Sequence, residues 1–167
     1  DDDSFFHQTS LEVADGNGFV SAFDVFVFGE RTPTADHPPL YVLLLAFIAW
    51  LGARTVDAQR MVGVCAGTLT VAVTGLIAYL VAGRRAALIA AGVCAVYPAF
   101  VAADGALMSE TLFGTLVALS LLQALRQLER PTLSGMAVLG ALVGLSALTR
   151  SEGLLLVPLL AIPALVG

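Results

Sequence analysis

The sequence contains no lysine, and charged residues of either sign make up only 13% of its 167 residues. Soluble globular chains carry about twice that share. So little charge excludes a water-exposed globule, and it also excludes a disordered tail, which needs high net charge and few apolar groups. Eight arginines with no lysine and a net charge of −5 provide no basic groove for nucleic acid. No Gly-rich phosphate loop, no Cys/His zinc spacing and no Gly-x-Ser-x-Gly nucleophile elbow occur. The only two cysteines, Cys65 and Cys94, sit inside long apolar runs. They read as small buried hydrophobes and carry no information about redox compartment.

Apolar residues dominate what is present. They form 58% of the chain, and mean hydropathy is +0.90. A bilayer core about 30 Å thick needs roughly 20 apolar residues as a helix. The expected fold class is all-α, a polytopic transmembrane helix bundle with a long extracytoplasmic first loop containing short interfacial helices. Residues 1–57 form that loop. Residues 58–167 hold spans at about 61–82, 86–103, 107–126, 132–149 and 153–167, the last one truncated. The chain begins at Asp1 and stops within an apolar run, and is expected to be an internal piece of a longer protein.

Polar residues are distributed unevenly. Nine of the thirteen acids lie between Asp1 and Asp57, and nine of the thirteen aromatics between Phe5 and Trp50. Ser4–Ala14 suits a short helix with Asp3 or Ser4 as N-cap. Asp15-Gly16-Asn17-Gly18 is a turn signal. Phe19–Phe28 is aromatic, β-branched and too short to span, which suits packing on the membrane surface. Leu40–Leu51, opened by Pro38 and Pro39, would be only about 18 Å long as a helix and is read as lying at the surface. The positive-inside rule agrees. With residues 1–57 outside, Arg84, Arg85, Arg126 and Arg130 fall on the cytoplasmic side. Asp104, Glu110, Arg150 and Glu152 then fall outside.

Three groups of residues could carry chemistry. Asp1-Asp2-Asp3 is a run of carboxylates suited to general-base work or cation binding, or simply to a solvated loop. His37-Pro38-Pro39-Leu40-Tyr41 holds a histidine on a rigid approach to an apolar helix. Arg60, Asp104, Glu110, Arg150 and Glu152 end helices on one side, where arginine can read phosphate bidentately and a carboxylate can deprotonate an acceptor. The competing reading from residue types is a transporter or channel subunit with an outer-face charged site. It expects charges near the bilayer midplane, whereas these lie at helix ends.

The order of these residues resembles the GT-C superfamily of polytopic glycosyltransferases. The nearest branch is the protein mannosyltransferase and aminoarabinose transferase-like family, similar to glycosyltransferase family 39. The resemblance rests on Asp2-Asp3-Ser4-Phe5-Phe6-His7, His37-Pro38-Pro39-Leu40-Tyr41, Arg60, Gly83-Arg84-Arg85, Tyr97-Pro98, Ser109-Glu110 and Thr149-Arg150-Ser151-Glu152. It implies transfer of a sugar from a polyprenyl-phosphate-linked donor to a protein, lipid or glycan acceptor. The implied setting is a bacterial plasma membrane, with the active site extracytoplasmic. It aligns the catalytic base with Asp2, Asp3 being the adjacent acid, and turns Arg60 toward the carrier phosphate. His37, Glu110 and Arg150 would line the same cavity. Tyrosine is common in the family where Phe5 and Phe6 stand. Some branches use a divalent cation and others do not, so a metal stays open.

Overall fold

The computed structural model describes residues 2–166, with side chains from Asp3 to Leu165. Helices make up 82% of it, and among the described residues the only β-pairing is an isolated bridge between Val20 and Pro33. The chain is an all-α membrane helix bundle.

Helix α1 spans Asp2–Ala14. It begins earlier than the cap reading expects, so Asp3 and Ser4 lie in its first turn, where carboxylates meet the positive end of the helix dipole. Helix α2, Ala22–Phe28, starts at Ser21, whose hydroxyl accepts from the Asp24 N–H at 3.2 Å. Phe23, Phe26 and Phe28 on α2 are largely exposed. Helix α3 spans Pro39–Trp50, with proline at its first position, where no N–H is needed.

Residues 56–96 form one 41-residue helical stretch, α4, broken at Gly83. A straight helix of that length would run roughly 60 Å, twice a bilayer core. Gly83 has φ 78° and ψ −172°, a conformation essentially restricted to glycine, and the chain reverses there. The two halves are antiparallel. Gly75 lies against Ala87 and Ala91, and the Cys94 thiol is 3.9 Å from the Thr74 hydroxyl. These partners are nearly equidistant from Gly83, as a hairpin requires. Arg84 and Arg85 stand exposed at its tip. Cys94 is buried in the seam, but Cys65 is exposed on the outward face of the first arm, contrary to the expectation of two buried thiols.

At Tyr97 the backbone becomes extended ahead of Pro98, and α5 continues over Pro98–Gly105. Helix α6, Ser109–Glu129, runs alongside the first arm of α4. The Thr115 hydroxyl lies 2.8 Å from that of Thr70 and donates to the Ala66 carbonyl at 3.0 Å. Helix α7, Leu133–Thr149, returns antiparallel to α6, its turn fixed by Gln127 accepting from the Thr132 N–H at 2.9 Å. A 3₁₀ turn over Ser151–Leu155, a π-turn over Val157–Ala161 and α8, Ile162–Val166, complete the chain. Pro158 and Pro163 explain why this last apolar run is not a regular helix.

Among the described residues two helices, α4 and α6, are long and apolar enough to cross a membrane; α3, α7 and the run over Ser151–Leu165 are shorter. Large apolar side chains such as Leu88, Ile89, Val96 and Leu133 face outward. In water they would form an aggregation-prone surface, whereas in lipid they are solvated.

Two apolar clusters hold the elements together. Phe6, Tyr41, Val42, Leu45 and Leu107 join α1 and α3 to the start of α6. Ala124, Leu139, Val143, Leu156 and Ala164 join α6, α7 and the C-terminal turns. Helix α1 is also pinned by a polar contact. Gln59 is fully buried, lies 2.8 Å from His7 Nδ1 and donates to the Ser10 hydroxyl at 3.0 Å. The following loop is clamped by Arg54 to both Asp15 oxygens and by Arg31 to Glu12.

Candidate active site

The directions of the helices bring distant charges to one end of the bundle. The first arm of α4 and helix α6 start at that end, while α5 and α7 finish there. Arg60, Asp104, Glu110 and Arg150 therefore share a level, although as many as ninety positions separate them in sequence. Arg84, Arg85, Arg126 and Arg130 mark the opposite end.

A pocket of about 250 Å³ is lined by Asp36, His37, Glu110, Arg150 and Glu152, with Phe6 as an apolar wall. The two prolines orient His37, whose ring lies 4.6 Å from that of Phe5 and 5.1 Å from that of Phe6, centroid to centroid. Arg150, in extended backbone after α7, reaches Glu110 at 2.5 Å and Glu152 at 3.4 Å. Burial alone would lower the Arg150 pKa, but the hydrogen bonds to Glu152 and Glu110 outweigh it and raise it. The Glu152 carboxyl is held below its usual range by its own backbone N–H and then by Arg150.

Arg60 belongs to a second cluster. It lies 3.5 Å from Asp3 on α1 and 3.5 Å from Asp57, one turn earlier on α4. It does not line the pocket containing His37. The structure thus brings His37, Glu110 and Arg150 together and pairs Arg60 with Asp3. The side chain of Asp2 lies outside the described residues. Phe6 is 2% exposed and packs edge-on to Tyr41.

Beside these charges, a groove of about 620 Å³ runs between the α4 hairpin and α6. Its walls are mainly apolar, including Val71, Ile77, Val117 and Leu121, while Asp104, Glu110 and Thr111 also line it. Glu110 lines both the polar pocket and the groove. Asp104 can occupy its place because Gly63 and Gly67 have no side chain. A Cβ on Gly63 would lie 2.6 Å from the Asp104 carbonyl oxygen, and one on Gly67 would collide with the Asp104 carboxylate.

Over residues 36–167 the chain matches the family model described as dolichyl-phosphate-mannose-protein mannosyltransferase. The chain belongs to that family. Membership makes it an integral membrane protein of glycosyltransferase type and implies a lipid-linked sugar donor with a protein or glycan acceptor. It removes the ground for a transporter or channel subunit. The match begins at Asp36, so the family model does not reach α1, with Asp2, Asp3 and His7. Neither the curated proteins nor the solved structures include a significant match. Among the described residues, no three His, Cys, Asp or Glu side chains converge as a metal cage would require.

Sequence reasoning missed Asp36 and Gln59. Asp36 stands next to His37 and was discoverable from that adjacency. Gln59 was marked only by being an amide beside Arg60 at the head of an apolar run.

Proposed function

We propose that this mannosyltransferase-family protein transfers a sugar from a polyprenyl-phosphate-linked donor to a protein, lipid or glycan acceptor on the extracytoplasmic face of a bacterial plasma membrane. The observation that carries this reading is the junction at Glu110, where an apolar groove at membrane depth meets a polar, arginine-bearing pocket. A polyprenyl phosphate-sugar is amphipathic in the same way. Its tail can stay beside α4 and α6 while its head reaches the charged end.

The chemistry is a displacement at the anomeric carbon. An acceptor hydroxyl oxygen forms the new bond to that carbon, and its proton passes to the carboxylate of Asp2 or Asp3. The bond from the anomeric carbon to the phosphate oxygen breaks, and polyprenyl phosphate leaves with the electron pair. Arg60, assisted by Arg150, stabilises the developing phosphate charge. His37 and Glu110 position the acceptor. Arginines at the opposite end favour the cytoplasmic side by the positive-inside rule.

The intact protein in proteoliposomes should consume a labelled polyprenyl-phosphate sugar and release polyprenyl phosphate. A soluble nucleotide sugar should not replace that donor. Transfer from the nucleotide sugar alone would refute the assignment. Single cysteines at Ser4 and Ala86 should be labelled from opposite sides, Ser4 from the outside; a cytoplasmic Ser4 would invert the proposed site.

A further inference from the structure

The eight arginines divide into two sets. Arg31, Arg54, Arg60 and Arg150 each pair with a carboxylate. Among the described residues Arg84, Arg85, Arg126 and Arg130 pair with none, and all four are exposed. The sequence has no acid between Ala58 and Ala103, so nothing on the α4 hairpin offsets the two guanidiniums at its tip. Glu129 is the sole acid between Thr111 and Ser151.

The second arm of the hairpin continues from these two arginines as a lipid-facing stripe. Arg84 and Leu88, like Arg85 and Ile89, are four residues apart and share a helix face. Leu88, Ile89, Val93 and Val96 are 68%, 67%, 59% and 75% exposed. Ala87, Ala91 and Cys94 form the other face, against Gly75 and Thr74 of the first arm. From Arg85 to Val96 the helix rises about 16 Å. One leaflet contributes roughly 15 Å to a hydrocarbon core. The stripe therefore has the build of a single phospholipid, with a charged head above an apolar length of one acyl chain.

We propose that this stripe binds an anionic phospholipid in the leaflet opposite the charged end of the bundle. Arg84 and Arg85 take the phosphate, and an acyl chain lies along Leu88, Ile89, Val93 and Val96. A guanidinium fork meets two phosphate oxygens at once, while its aliphatic stem stays against the chain. Two uncompensated positive charges favour a headgroup of net negative charge over a zwitterionic choline, whose own cation would be held against them. Arg126 and Arg130, at the same end of the bundle, add to the attracting field without contacting this lipid. A protein helix laid on the stripe would need acids to meet the arginines, whereas a phospholipid carries its own. The proposal is independent of the sugar-transfer reading.

The test is native mass spectrometry of the intact protein in neutral detergent, offered equal amounts of phosphatidylglycerol and phosphatidylcholine with identical chains. Phosphatidylglycerol should be retained over phosphatidylcholine by roughly 10- to 30-fold. Arg84→Gln/Arg85→Gln, with its melting temperature unchanged, should bind the two lipids about equally. Detergent micelles have no sides, so arginines that only orient the chain would leave both proteins alike. That outcome, or no preference in the parent, would overturn the proposal. Raising salt from about 0.05 to about 0.5 M should weaken the parental preference severalfold, a readout that needs no variant. A preference that salt does not change refutes the headgroup contact. Arg60→Ala should keep the preference. Its loss there, but not in the tip variant, would place the anionic lipid at the charged end and refute the proposal while leaving the sugar-transfer reading intact.

Discussion

Gly63→Ala tests the packing that holds Asp104 beside the α4 hairpin. The added methyl would lie 2.6 Å from the Asp104 carbonyl oxygen and 3.4 Å from its carbonyl carbon. Close C···O contacts run at about 3.3 Å or more, so α5 must move by roughly 0.7 Å. The obstacle is backbone, which no rotamer change relieves. Overpacking of this kind costs about 1–3 kcal/mol, against which replacing a helical glycine gains about 1 kcal/mol. The net expectation is a loss of up to about 2 kcal/mol, or up to about 8 °C in Tm for a chain of this size. Gly92→Ala, in the returning arm of the same hairpin, is the control, because a Cβ there meets nothing within 4 Å. It should be neutral or stabilising by up to about 1 kcal/mol. Thermal unfolding of both variants in the same detergent decides the matter. A Gly63→Ala protein at least as stable as Gly92→Ala would refute the close approach of α5 to α4.

Gln59→Ala removes the fully buried partner of both His7 and Ser10 and should cost about 2–3 kcal/mol. Hydrogen exchange should show α1 loosening first; uniform loosening would deny that Gln59 pins it. Arg150→Ala should change stability by less than about 1 kcal/mol, since the arginine side chain is 32% exposed and its partners more so. A melting curve showing a large loss would contradict this. The Glu12 carboxyl is held below its ordinary range chiefly by the hydrogen bond from Arg31. A lowered folded-state pKa stabilises above the ordinary carboxylate value, and that stabilisation is lost as pH falls through the lowered one. Amide protection over residues 12–34, taken relative to the intrinsic exchange rate, should therefore stay level from pH 7 to about 4 and fall only below that. A fall between pH 7 and 5 would point to a different group.

Much of the architecture was legible because a bilayer imposes lengths. The apolar runs on either side of Gly83-Arg84-Arg85 could only be two arms, and short connections then brought Glu110 and Arg150 to the same end. His37 joined them because two prolines restrict the approach to α3. Hydropathy could not give the lateral pairing of side chains. Nothing in the pattern says that Asp104 enters a slot opened by Gly63 and Gly67, or that Gln59 captures α1. The arginines show the same limit. Arg60 and Arg150 looked alike as helix-end cations, yet one pairs with Asp3 and the other with Glu110 and Glu152, a difference decided by packing of α1 that no periodicity records. Tyr41 falls in a run read as lying at the membrane surface; its burial follows from Phe6 and Leu107 packing against it.

The account depends most on the charged end of the bundle being where sugar leaves its phosphate carrier. The most direct measurement is the initial rate of transfer from a labelled polyprenyl-phosphate sugar by the intact protein carrying Arg60→Ala, Arg150→Ala or, at the opposite end, Arg130→Ala. Each rate should be paired with a melting curve. The account predicts a loss of at least about 100-fold for Arg60→Ala, a clear loss for Arg150→Ala, and near-parental transfer for Arg130→Ala, with all three folded. Parental rates in both Arg60→Ala and Arg150→Ala would contradict it.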